Sequence, residues 1–155
     1  MFLTTHTSAA ILIATKVSNP ILVVILGFFS HFVLDFIPHG EGDLFNDPSK
    51  THQQKLLSMA KIALLDLALA LLFLFSFLYL KKPDNVLIFI WVSLASWLPD
   101  FAWGTIELFK IKFLWWFYLL HHRIHDLLDI VYPLKYGLLF QFSFIILMLY
   151  LTFNF

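Results

Sequence analysis

The chain has no cysteine. Thiolate metal sites, disulfides and cysteine nucleophiles are therefore excluded. Charge is scarce as well: 13% of the 155 residues are Asp, Glu, Lys or Arg, against roughly 25% in an average soluble domain. Ten basic and ten acidic residues cancel, so no net field argues for nucleic acid as a partner. A Gly-rich phosphate loop, a G-x-S-x-G turn and an H-E-x-x-H pair are all missing, which leaves NTPase, serine-hydrolase and zincin readings without support. Met1 to His6 carries no basic region of the kind that opens a secretory signal, and no small-residue cleavage site follows, so the first apolar segment is read as retained.

Apolar side chains fill the space that charge leaves: 61% of the chain is hydrophobic. One small core cannot hide that much, so lipid must solvate much of it. The expected fold is all-α: a single integral membrane domain over 1–155, a polytopic helical bundle of about five crossings plus one interfacial or re-entrant helix. The apolar segments are Phe2 to Val17, Pro20 to Ile37, Ile62 to Leu80, Val86 to Leu98 and Tyr136 to Phe153. Asn19 reads as an N-cap with Pro20 at the first helical position, and Asp47-Pro48 as the same start ahead of the third helix. Pro99 is expected to close the fourth. The stretch Phe101 to Pro133 holds an uninterrupted apolar run only from Phe113 to Leu120, too short to cross a hydrocarbon core of about 30 Å, and is read as interfacial.

Five crossings put the loops 38–56 and 104–135 on one side, with Lys50, Lys55, Lys110, Lys112, Arg123 and Lys135. Lys16, Lys81 and Lys82 fall on the other. The positive-inside rule makes the first side cytoplasmic. Tryptophans 91, 97, 103, 115 and 116 read as an aromatic belt at the two interfaces.

The polar residues stand out against this background. His31 and Asp35 are four apart and share a helix face; Pro38 then ends the helix and presents His39. Imidazoles and a carboxylate at a membrane boundary are costly to keep there without a use, and they are ligand types that zinc prefers. The expected topology brings His6, His31, Asp35, His39, Asp100 and the cluster 121–126 towards one membrane face. The metal candidates are His6, His31, Asp35, His39, Asp100, His122 and His125. His122 and His125, three apart, are expected to face one way, and His121 points about 100° from His122. Asp66 lies inside an apolar span and needs Lys61 or a neighbouring helix as compensation, unless it is neutral or an outer metal ligand. Asp126 and Asp129 repeat the three-residue spacing of the histidines. His52 reads as a solvated residue at the start of the third helix.

At these residues the chain resembles a family of small bacterial inner-membrane proteins described as membrane-bound metal-dependent hydrolases. Thr5-His6, Pro99-Asp100 and His122-Arg123-Ile124-His125 carry the resemblance, with Ile124 where the family has Gly-x-Thr before the second histidine. His31, Asp35, Pro38 and His39 are similar to the H-x-x-x-D, Pro, His pattern of zinc-dependent phospholipase C. The resemblances imply a divalent metal, zinc or manganese, and hydrolysis of a phosphate or carboxylic ester in a lipid-like substrate by a metal-activated water. Asp100, His122 and Arg123 are the candidate catalytic residues, and membrane lipid is the expected partner. Two other readings use the same residues: a cation or proton transporter, which needs a polar path through Asp66, and a non-catalytic assembly protein whose polar groups pair helices.

Overall fold

The computed structural model describes residues 1–39, 49, 51–125, 127–128 and 133–154. Six α-helices occur among them: α1 Leu3–Lys16, α2 Pro20–Asp35, α3 His52–Lys81, α4 Val86–Phe109, α5 Trp115–His125 and α6 Leu134–Asn154. A 3₁₀ turn, Lys112–Leu114, precedes α5. No strand occurs among the described residues.

Three helices are long and apolar enough to cross a membrane: Gln53–Lys81 within α3, Val86–Phe109 and Leu134–Asn154. The described helices thus do not establish five crossings. α2 is apolar but shorter, and α1 has 14 residues, about 21 Å at a rise of ~1.5 Å per residue. α5, with 11 residues, is too short to cross alone.

α1 is the axis of the bundle. It packs against α2, α3, α4 and α6, and Leu3, Thr5, His6, Thr7, Ser8, Ala9, Ala10 and Ile11 are all buried. A helix enclosed by protein needs small side chains and internal partners rather than a lipid-facing stripe. Thr7 and Ser8 return their hydroxyls to the Leu3 and Thr5 carbonyls. Trp97 is 2% exposed and donates its indole N–H to Thr7 Oγ1 at 2.9 Å. It therefore belongs to the interior and not to an interfacial belt.

α2 divides cleanly. Val23, Gly27, His31 and Asp35 turn inwards, while Ile21, Ile25, Phe29 and Val33, also at four-residue spacing, are exposed. Asn19 caps it by accepting from the Ile21 and Leu22 N–H groups at 3.0 and 3.1 Å, with Pro20 at the first helical position. At Gly27 a Cβ would meet Val92 Cγ2 at 2.5 Å and the Val92 carbonyl oxygen at 3.0 Å. Only glycine allows α2 to lie this close to α4.

Two helix boundaries differ from expectation. α4 continues through Pro99 for ten further residues, to Phe109. Proline removes the N–H that would pair with the Ala95 carbonyl, but a membrane helix tolerates this when neighbouring groups satisfy the freed backbone. The adjacent Ser96 carbonyl accepts from a histidine of α2. α3 begins with a capping box, in which Thr51 accepts from the Gln54 N–H and Gln54 accepts from the Thr51 N–H. Asp47-Pro48, expected as the cap, lies outside the described residues.

Asp66 finds its compensation in another helix. Its carboxylate accepts from the Leu3 N–H, from Thr4 Oγ1 at 2.9 Å and from the Thr4 N–H at 3.3 Å. Gln141 of α6 accepts from the Phe2 N–H at 2.9 Å and from Thr5 Oγ1 at 3.1 Å. The first turn of α1 has no intrahelical acceptors for its N–H groups and carries the positive end of the helix dipole. Side chains of α3 and α6 supply those acceptors. Asp66→Ala is expected to destabilise the protein by about 3 kcal/mol, because it leaves buried donors unpaired. Asp66→Asn, which keeps one acceptor oxygen, is expected to cost about 1 kcal/mol. Thermal unfolding in detergent compares the two.

Candidate metal centre

The end of α2, the start of α1, the Pro99 region of α4 and the inner face of α5 meet at one carboxylate, Asp35. Its two oxygens face different neighbours. Oδ2 lies 3.0 Å from His31 Nε2 and 3.5 Å from His121 Nε2. Oδ1 lies 2.6 Å from the Met1 amino nitrogen and 3.2 Å from His6 Nε2.

Around Oδ2 stand His31, Asp35, Asp100 and His121, with one ligand atom from each within 4.8 Å of all the others. His31 Nε2 is 3.1 Å from His121 Nε2 and 3.6 Å from Asp100 Oδ1, and His121 Nε2 is 3.4 Å from that same oxygen. Ligands at about 2.0–2.1 Å from a tetrahedral zinc would be about 3.3 Å apart. Asp35, His39 and His125 form a second group of this kind, with His39 Nε2 3.0 Å from both His125 Nε2 and the Met1 amino nitrogen. These buried His and Asp groups could hold a metal ion.

The outer contacts aim the rings. His31 Nδ1 is 2.8 Å from the Ser96 carbonyl oxygen and His39 Nδ1 is 2.7 Å from that of Ile37. A carbonyl only accepts, so each Nδ1 carries the proton, and in the neutral ring the Nε2 lone pair points into the cluster. Histidine ligands of metals are oriented in this way. His31 Nε2 then faces a carboxylate oxygen and a second imidazole. His6 is wholly buried, stacks on His31 at 4.2 Å between centroids, and neither of its ring nitrogens makes a hydrogen bond among the described residues. Asp35 Oδ2 is likewise buried and faces the Nε2 atoms of His31 and His121. The Met1 amino group donates to Asp35 Oδ1; lone pairs collected in this way suit a cation.

The electrostatics separate the histidines that lie beyond the long helices. Burial pushes His39 down to about 3, helped by the nearby amino group of Met1. Burial likewise pushes His125 down to about 4. Burial would also lower His121, but hydrogen bonding to Asp100 and Asp35 outweighs it and raises the ring to about 9.

Of the residues singled out from the sequence, His6, His31, Asp35, His39, Asp100 and His125 converge here. His122 and Arg123 stand exposed on the outer faces of α5, outside both groups. The His122 ring stacks on Tyr118, which stacks on Trp115 and Trp103. His121 takes the inner position instead, because the helical stripe runs in fours: Phe117 packs against Phe32, and His121 and His125 continue that stripe inwards. Asp126 and Asp129 lie outside the described residues. The site is least enclosed at Asp100, whose side chain is 29% exposed while those of His31 and Asp35 are 0% and 2% exposed.

No family model, no curated protein and no solved structure matches the chain, so the chemistry of the site is read from its own geometry. In metal-free protein, His121 is expected to remain protonated at pH 8 and to lose its proton near pH 9, while His39 and His125 stay neutral down to about pH 4. Ring ¹⁵N shifts across a pH titration read this directly. Asp100→Asn should bring the His121 midpoint down, since it removes the first of the two carboxylates that hold the proton.

Proposed function

We propose that the protein is a membrane-embedded, metal-dependent hydrolase acting on a phosphate or carboxylic ester of a lipid-like substrate. The observation that carries this reading is the spacing of His31, Asp35, His121 and Asp100, whose contacts of 3.0–3.6 Å match the edges of a zinc coordination polyhedron. Two inward lone pairs fixed by backbone carbonyls support it further.

In this reading His31, Asp35 and His121 hold the ion, zinc or manganese. The bound ion supplies Lewis acidity, polarising the ester or phosphoryl oxygen and acidifying a water. Asp100 is the catalytic carboxylate. It is the least enclosed member of the group, so water and substrate reach it first, and it takes the proton of the attacking water. The water oxygen bonds to carbon or phosphorus, the bond to the leaving oxygen breaks, and Asp100 returns its proton to that oxygen. Arg123 and His122, exposed on α5, meet the anionic part of the substrate.

A lipid-like substrate follows from where the site opens. Asp100 lies on a helix apolar enough to span, beside the short helix α5 whose exposed side chains include Trp116, Leu119 and Leu120. An amphiphile lying in the interface presents its polar bond at that level. In this reading α1 and α2 complete five crossings of a bacterial inner membrane, and the excess of Lys and Arg over 38–56 and 104–135 supports a cytoplasmic side for this face. A transporter reading needs Asp66 on a polar path, whereas Asp66 is engaged by the backbone and hydroxyl of the first turn of α1.

Detergent-purified protein loaded with zinc is expected to hydrolyse a phospholipid or a phosphodiester, and to lose that activity to a chelator. Asp100→Asn should retain zinc and lower kcat by about 100-fold, the scale of a lost general base. Zinc-loaded, folded protein that turns over no phospholipid, phosphomonoester, phosphodiester or carboxylic ester contradicts the reading.

A further inference from the structure

We infer that the centre takes two divalent cations that share Asp35 as a bridging ligand. This inference rests on the metal-site part of the proposed function and adds a second position to it.

The two oxygens of Asp35 are divided between two ligand groups. Oδ2 faces His31 and His121. Oδ1 faces away from them, towards His6 and the Met1 amino nitrogen. That nitrogen is in turn 3.0 Å from His39 Nε2, beside His125. Asp35 is thus the member common to both groups able to hold an ion. A carboxylate that turns one oxygen to each of two ligand sets spans two ions about 3.5–4 Å apart, the separation of two-metal hydrolytic sites.

Independent observations point to the second position. His39 is aimed in the same way as His31: its Nδ1–H donates to the Ile37 carbonyl, and its Nε2 faces the Nε2 of another histidine at 3.0 Å. His6 is wholly buried, and its Nε2 stands 3.2 Å from Asp35 Oδ1. Neither His39 nor His6 belongs to the first group.

The test is zinc content per chain after saturation with zinc and removal of excess, on detergent-purified full-length protein. Elution volume and thermal unfolding report folding. Wild type is expected to hold about two ions, His125→Ala about one, His121→Ala about one, and Asp35→Asn well under one. Manganese-loaded wild type supplies a second readout that needs no variant: two ions sharing a carboxylate give an exchange-coupled paramagnetic resonance spectrum, whereas a lone ion gives six lines. One zinc per chain at saturation, with an uncoupled manganese spectrum, overturns the inference. If that protein still hydrolyses esters, the proposed function stands and only the second position falls. Two ions with a coupled spectrum and no hydrolysis leave the inference standing and remove the proposed function.

Discussion

A single buried carboxylate organises this protein. Asp35 lies at the end of α2, and contacts from α1, α2, α5 and the segment after Pro38 end on or beside it. A charge removed from water costs several kcal/mol unless partners surround it. The bundle is therefore constrained to bring its imidazoles to one place. The near approach of α2 to α4 at Gly27 and the continuation of α4 through Pro99 serve that constraint. Gly27 lets the helices touch, and the Ser96 carbonyl of the proline-interrupted stretch orients His31.

The short first helix follows from the same constraint. Its small and hydroxylated residues are ill suited to lipid, yet α1 is the most enclosed helix of the bundle. Its start is held by Asp66 and Gln141 from two other helices, which fixes His6 and the first residues against Asp35. Polar groups inside the bundle thus perform two separate tasks. Asp66 and Gln141 satisfy a helix end, whereas the histidines and Asp35 collect lone pairs with too few donors.

Much of this was legible in the residues. The all-helical character, the apolar helices, the Asn19-Pro20 start and the His31/Asp35 pairing all depend on local spacing, which a sequence displays. The convergence of Asp35 with Asp100 on one side follows the topology expected from the apolar segments. Three features were not legible. Pro99 reads as a helix end, because sequence does not reveal that α1 and α2 will pack against α4 and that His31 will donate to the adjacent Ser96 carbonyl. Trp97 reads as interfacial, because its partner Thr7 is distant in the chain. The rotation of α5 that turns His121 inwards and leaves His122 outside depends on Phe117 packing against Phe32, a tertiary contact that overrides the three-residue spacing of His122 and His125.

The central claim is that these side chains form a metal centre, and X-ray absorption of the zinc-loaded protein addresses it most directly. The expected spectrum has a first shell of nitrogen and oxygen at about 2.0 Å with no sulfur, and the outer-shell scattering of about two imidazoles per zinc. A shell of oxygen alone with no imidazole scattering would mean that zinc rests on the surface, and that His31, His39 and His121 pair the helices without a metal.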